Sequence, residues 1–94
     1  MKREKIFKSL ISMLVNEGVK KIAVFGSYAR KQQKKTSDVD LLVEFKERKS
    51  LLDIVEIEQK LSDTLNIKVD LLTEKSISPY LIDKIKKEML VIYE

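Results

Sequence analysis

Cysteine and histidine are absent from the 94-residue chain, glycine occurs twice and proline once. Without cysteine there is no disulfide, no thiolate nucleophile and no cysteine-rich zinc site, and without histidine there is no imidazole base. Any chemistry must therefore come from carboxylates, hydroxyls, Lys or Arg. Long apolar runs are also missing. No stretch approaches the roughly 20 residues that cross a bilayer, and Met1 to Lys8 is too charged for the apolar part of a signal peptide. The expectation is a cytoplasmic protein without a membrane association. The formal net charge is +4, but the lysines are dispersed and no unbroken basic tract or aromatic-interleaved basic surface is present, which argues against direct nucleic-acid binding.

What is there is globular: hydrophobic residues form 44% of the chain and charged residues 36%, a balance that favours folding over disorder. A chain this short supports one domain, residues 1–94, which would bury roughly two-thirds of its unfolded surface. Ile6, Phe7, Leu10, Ile11 and Leu14 recur at helical spacing from Lys2 to Asn16, and Gly18 stands where a left-handed cap belongs. Lys20 to Phe25 reads as a buried strand, Gly26-Ser27 as a turn, Tyr28 to Gln33 as a short helix, and Lys34 to Ser37 as a loop. Val39 to Phe45 is a central strand. Ser50 and Asp53 are spaced as a capping box for a helix to Leu65 whose stripe is Leu51, Ile54, Val55, Ile57, Glu58 and Leu61, with Asn66 as its end. Lys68 to Leu72 is a third strand. Ser78-Pro79 opens a last helix to about Lys87, and Met89 to Tyr93 is a short strand or a helical continuation. The alternation implies an α/β fold: a mixed sheet of three to four strands flanked by helices.

Asp38 and Asp40 interrupt this pattern at the start of an apolar strand, where a period of two puts both carboxylates on one side. At a separation of about 4 Å and an effective dielectric near 20, two like charges cost about 4 kcal/mol. A divalent cation reverses that penalty, and hard oxygen ligands select Mg²⁺ or Mn²⁺. The alternative is a turn aspartate followed by a solvated strand end. Val69-Asp70-Leu71-Leu72 repeats Val39-Asp40-Leu41-Leu42, so neighbouring strands in register would bring Asp70 to the pair. Three acids could hold two metal ions, with Asp70 as the base for an attacking hydroxyl. Phe25-Gly26-Ser27-Tyr28-Ala29-Arg30 runs from a strand through a Gly-Ser turn, a place for phosphate, about a dozen residues before the acidic pair. Ser27 offers a hydroxyl. Arg30 could contact phosphate or brace the loop through an ion pair.

Together, Gly26-Ser27-Tyr28-Ala29-Arg30, Ser37-Asp38-Val39-Asp40-Leu41-Leu42-Val43 and Asp70 resemble the DNA polymerase beta-like nucleotidyltransferase superfamily, and most closely its minimal nucleotidyltransferase branch. The resemblance spans nearly the whole chain. It implies that Gly26, Ser27 and Arg30 hold the triphosphate of ATP and that Asp38, Asp40 and Asp70 bind magnesium, with two ions expected. It further implies an antitoxin of the type VII kind, partnered with a HEPN-domain toxin, a helical ribonuclease, to which AMP is transferred on a tyrosine. Two other readings stand beside it: a module that neutralises its partner by docking alone, and a nucleotidyltransferase acting on RNA or a small molecule. Lys31 departs from the family pattern, which often has glycine after the arginine. Tyr28, Tyr80 and Tyr93 are candidates for self-modification or base stacking against a packing role, with Tyr28 the best placed. Lys31, Lys34 and Lys35 are candidate attractors of polyanions against a solvated role, and Glu44 is expected to be structural or exposed.

Overall fold

A computed structural model describes residues 2–34 and 37–94. Lys35, one of the candidate lysines, and part of the expected Lys34 to Ser37 loop lie outside them. The order is α1 (Arg3–Asn16), β1 (Val19–Phe25), a 3-10 turn (Gly26–Tyr28), β2 (Val39–Phe45), α2 (Leu51–Leu65), β3 (Val69–Leu72), a second 3-10 turn (Glu74–Ser76), α3 (Pro79–Glu88) and β4 (Leu90–Tyr93). The strands form one mixed sheet in the order β3-β2-β1-β4. Strands β2 and β3 are parallel, while β1 pairs antiparallel with both β2 and β4. The parallel pair requires a crossover, which α2 supplies.

Alternation along the strands assigns the two faces. Val39, Leu41 and Val43 of β2, Ile22 and Val24 of β1, and Val69 and Leu71 of β3 enter the main core with Ile6, Leu10 and Leu14 of α1 and Ile57, Leu61 and Leu65 of α2. The intervening residues face the other way, where Ala23 and Leu42 meet Ile85 of α3. Asp40 and Asp70 belong to this second face by the same period. The sheet is thus covered by α1 and α2 on one side and by α3 on part of the other. No described helix is long and apolar enough to cross a membrane.

Local chemistry sets the boundaries. Ser50 and Asp53 close a reciprocal capping box at the start of α2, at 3.1 Å in each direction, and Asn66 ends that helix in the left-handed conformation. Gly18 has φ +82° just after α1. The α2 side chains of Glu58 and Ser62 accept the Leu71 and Val69 amides at 2.7 and 3.0 Å. They satisfy the outer edge of β3 and hold the strand that carries Asp70. The apolar stripe expected on α2 extends beyond what is packed, for Leu51 and Val55 are exposed. Ser78 does not cap α3 with its side chain, which starts instead with Pro79 in its first turn. Residues Leu90–Tyr93 are a strand and not a helical continuation.

The helix expected over Tyr28 to Gln33 is not formed. A single 3-10 turn at Gly26–Tyr28 is followed by Lys31 at φ +58°. A left-handed residue stops helix propagation, and the Gln32 amide bonds back to the Ser27 carbonyl at 2.9 Å. This conformation explains why a glycine suits the position after the arginine. A left-handed L-residue costs roughly 1–2 kcal/mol, part of which glycine returns through its freer unfolded chain. Lys31→Gly should therefore stabilise the fold by about 0.5–1 kcal/mol, raising the melting temperature by a few degrees in a thermal denaturation scan. An unchanged or lowered midpoint would contradict strain at Lys31.

Candidate active site

The parallel register pairs Asp40 directly with Asp70, as it pairs Val39 with Val69 and Leu41 with Leu71. Register partners in parallel strands present their side chains to the same face. The two carboxylates stand within hydrogen-bonding reach of each other. On the opposite flank Asp40 pairs with Phe25, the last residue of β1, which brings the Gly26 turn alongside. A Cβ built on Gly26 would lie 2.5 Å from the Asp40 Oδ2, and the backbone there has φ +74°. Glycine is thus required twice over, by conformation and by the carboxylate that fills the space of a side chain. Ala29 and Arg30 both donate their amides to the Gly26 carbonyl, at 3.1 and 3.3 Å, which winds the turn tightly.

Asp38 precedes β2 on the same rim, and its Oδ2 lies 3.9 Å from the Lys68 ammonium. The three acids come from one edge of the sheet, yet among the described residues no three of them close into a metal-holding cluster as they stand. Two carboxylates meet and the third is turned toward a lysine. The Asp38–Lys68 pair is largely solvent-exposed, so the ammonium holds the carboxylate only weakly.

Burial first, and then the neighbouring carboxylates of Asp70 and Asp38, together push the Asp40 carboxyl up to about 6, with Lys68 opposing. The charge is crowded and partly desolvated, which is the condition a hard divalent cation relieves. The oxygen-only donor set therefore fits Mg²⁺ or Mn²⁺.

The same shift fixes a sign for stability. Between pH 4 and 6 the folded protein holds a proton on Asp40 that the unfolded chain releases, so the stability contributed by this group falls as pH rises through that window. The displacement from 3.8 to about 6 corresponds to at most about 3 kcal/mol, and to about 1–2 kcal/mol once water at the half-exposed carboxylate is allowed for. In chelator, urea unfolding of the wild type minus that of Asp40→Asn should lose this amount between pH 4 and 7. A flat difference would contradict the crowding.

Arg30 is engaged in bracing. Its Nε donates to the Gln32 Oε1 at 3.1 Å and its Nη1 pairs with the Glu88 Oε2 at the end of α3, 3.5 Å away. Tyr28, the best placed of the tyrosines, is packed in the core at 4% exposure and serves the fold. Tyr80 is exposed on α3, Tyr93 is half-buried, and Glu44, Lys31 and Lys34 are at the surface. Two residues lie outside the motifs. Lys68 could have been noticed as the cation directly before Val69-Asp70. Arg3, whose Nε donates to the Tyr28 carbonyl at 2.8 Å, carries no signal in the sequence beyond being basic at a helix start.

Comparisons with known proteins give the family and the fold. The model of the nucleotidyltransferase domain family matches residues 2–92. MJ0435 of Methanocaldococcus jannaschii, a protein adenylyltransferase by provisional name, is 49% identical over 88 residues, covering 94% of this chain and 95% of its own. A toxin-antitoxin complex crystallised with AMP-PNP contains a chain that superposes with a TM-score of 0.83 at 26% identity, covering 93% of this chain and 72% of that one. A chain of the complex between a tri-AMPylated HEPN toxin of Shewanella oneidensis and an MNT antitoxin shares the fold, with a TM-score of 0.80 at 22% identity over 98% of this chain and 72% of its own. The chain belongs to the nucleotidyltransferase domain family, as one of its minimal nucleotidyltransferases. It is an enzyme of the nucleotidyl-transfer class, and the mixed α/β fold expected from its sequence is the fold of that family.

Proposed function

We propose that this protein transfers AMP from ATP to a hydroxyl of a partner protein, a tyrosine of a HEPN-domain toxin, and so acts as the antitoxin of a type VII-like pair. The observation that carries the reading is the register pairing of Asp40 with Asp70 beside Gly26, which places two crowded carboxylates against a tight Gly-Ser turn. Similarity to MJ0435 and to toxin-antitoxin complexes, one with an ATP analogue and one with an AMPylated toxin, supports the choice of nucleotide and acceptor.

In this reading Gly26 and Ser27 receive the triphosphate, with Arg30 leaving Glu88 to assist. Asp38, Asp40 and Asp70 would hold Mg²⁺, two ions being expected, with Asp38 released from Lys68 to join the other two. When bound, Mg²⁺ neutralises phosphate charge and lowers the pKa of the attacking hydroxyl. The acceptor oxygen forms a bond to the α-phosphorus, the bond from that phosphorus to the bridging oxygen of the β-phosphate breaks, and pyrophosphate leaves. Asp70 accepts the hydroxyl proton. Transfer proceeds by positioning and charge stabilisation.

Incubation of the chain with α-labelled ATP, Mg²⁺ and the proposed HEPN-domain partner is expected to label that partner, with a mass gain of one or more AMP groups on tyrosine. EDTA should abolish the label. Full neutralisation of the toxin by the protein without any mass change would instead establish docking as the activity.

A further inference from the structure

Arg3 is the first residue of α1, the end of a helix at which a positive charge is disfavoured. The side chain has other engagements that account for it. Its guanidinium carbon lies 4.8 Å from the centroid of the Phe7 ring, in cation-π contact one helical turn on. Its Nε donates to the Tyr28 carbonyl at 2.8 Å, across 25 positions of sequence and in a partly buried setting. Charge-assisted bonds of this length are among the stronger hydrogen bonds in proteins. Tyr28 ends the Gly26–Tyr28 turn, and its ring is buried in the core. The end of the turn is therefore fixed twice, by the ring on the core side and by Arg3 at the carbonyl. The turn's start is fixed by Gly26 against Asp40.

We propose that Arg3 is a positioning residue for the nucleotide: by holding the Tyr28 carbonyl it keeps the Gly26–Tyr28 turn in the shape that receives the triphosphate. This rests on the reading of that turn as the triphosphate cradle. Arg3 touches neither reactant, so its effect is on nucleotide binding and not on the bond-making step. A cradle that must be reordered on each binding event loses affinity for substrate and transition state alike.

The test compares wild type with Arg3→Met, which keeps an apolar stem over Phe7 and removes the donor, and Arg3→Lys, which keeps the charge without the planar fork. AMP-PNP affinity in Mg²⁺ is measured by calorimetry, with KM for ATP and kcat on the toxin partner. For Arg3→Met the dissociation constant and KM should both rise about five- to fifteen-fold, less than the full worth of one charge-assisted hydrogen bond because Gly26 and the Tyr28 ring still hold the turn, while kcat stays within about threefold. Arg3→Lys should fall between Arg3→Met and wild type, and it carries the test alone should Arg3→Met fail to fold. Unchanged affinity and KM with a lowered melting temperature would overturn the proposal and leave Arg3 as an anchor of α1. Failure of the wild type itself to bind AMP-PNP would be a different result, which removes the triphosphate reading of the turn and the role of Arg3 with it.

Discussion

Asp40→Asn is expected to lower the transfer rate by about a thousandfold or more, since under the proposed function it removes a charged metal ligand, which forfeits roughly 4 kcal/mol of barrier lowering. The same substitution should make the metal-free protein more stable. Asp40 is held close to Asp70 and partly out of water, and its carboxyl is raised to about 6 by that burial and by the neighbouring charges. Asparagine keeps the shape and removes the repulsion. A gain of about 1 kcal/mol at pH 7, or several degrees in melting temperature, should be seen in chelator and should shrink when Mg²⁺ is added to both proteins. A residue selected for packing alone would show the opposite pairing, lost stability with retained rate. Initial rates with labelled ATP, beside thermal scans with and without Mg²⁺, measure both halves. Wild-type rates in Asp40→Asn would remove the site from the mechanism.

Gly26→Ala is the second substitution with a large expected effect. The added Cβ meets the Asp40 Oδ2 at 2.5 Å, and the backbone sits at φ +74°, where an L-residue is strained. Either the turn or the carboxylate must give way. The strain amounts to roughly 1–2 kcal/mol. The larger consequence is geometric, because a displacement of about 1 Å at a reacting centre can cost a hundredfold in rate. Transfer by Gly26→Ala should therefore fall at least about a hundredfold. Gly18→Ala is the matched control, with φ +82° and open space around its Cβ position. It should lose a similar stability and keep its rate. Equal rates in the two alanine variants, measured on the folded fraction, would show that the approach of Gly26 to Asp40 has no catalytic consequence.

The repeated Val-Asp-Leu-Leu tetrads were legible because a parallel pair in register presents equivalent positions side by side, so sequence identity became spatial adjacency. The capping box at Ser50 and Asp53 and the left-handed Asn66 were legible for a local reason: their partners lie within a few residues. Features set by distant partners were not. The carboxylate of Asp38 is turned to Lys68, a residue far along the chain that immediately precedes β3, and the clamp of Arg3 on Tyr28 spans two elements. The expected helix after Gly26 failed at Lys31, whose left-handed backbone no propensity for lysine foretells. On α2 the apolar period of Leu51 and Val55 continued past the part of the helix that the sheet covers, so periodicity overstated burial.

In the proposed mechanism Asp38, Asp40 and Asp70, at one rim of the sheet, gather around divalent cations. Crystals grown with Mn²⁺ and AMP-PNP, measured for anomalous scattering at the manganese edge, test it most directly. Strong peaks ringed by carboxylate oxygens of Asp38, Asp40 and Asp70 are expected, with the analogue's triphosphate over Gly26 and Ser27. Manganese bound elsewhere, or a nucleotide seated away from these acids, would contradict it.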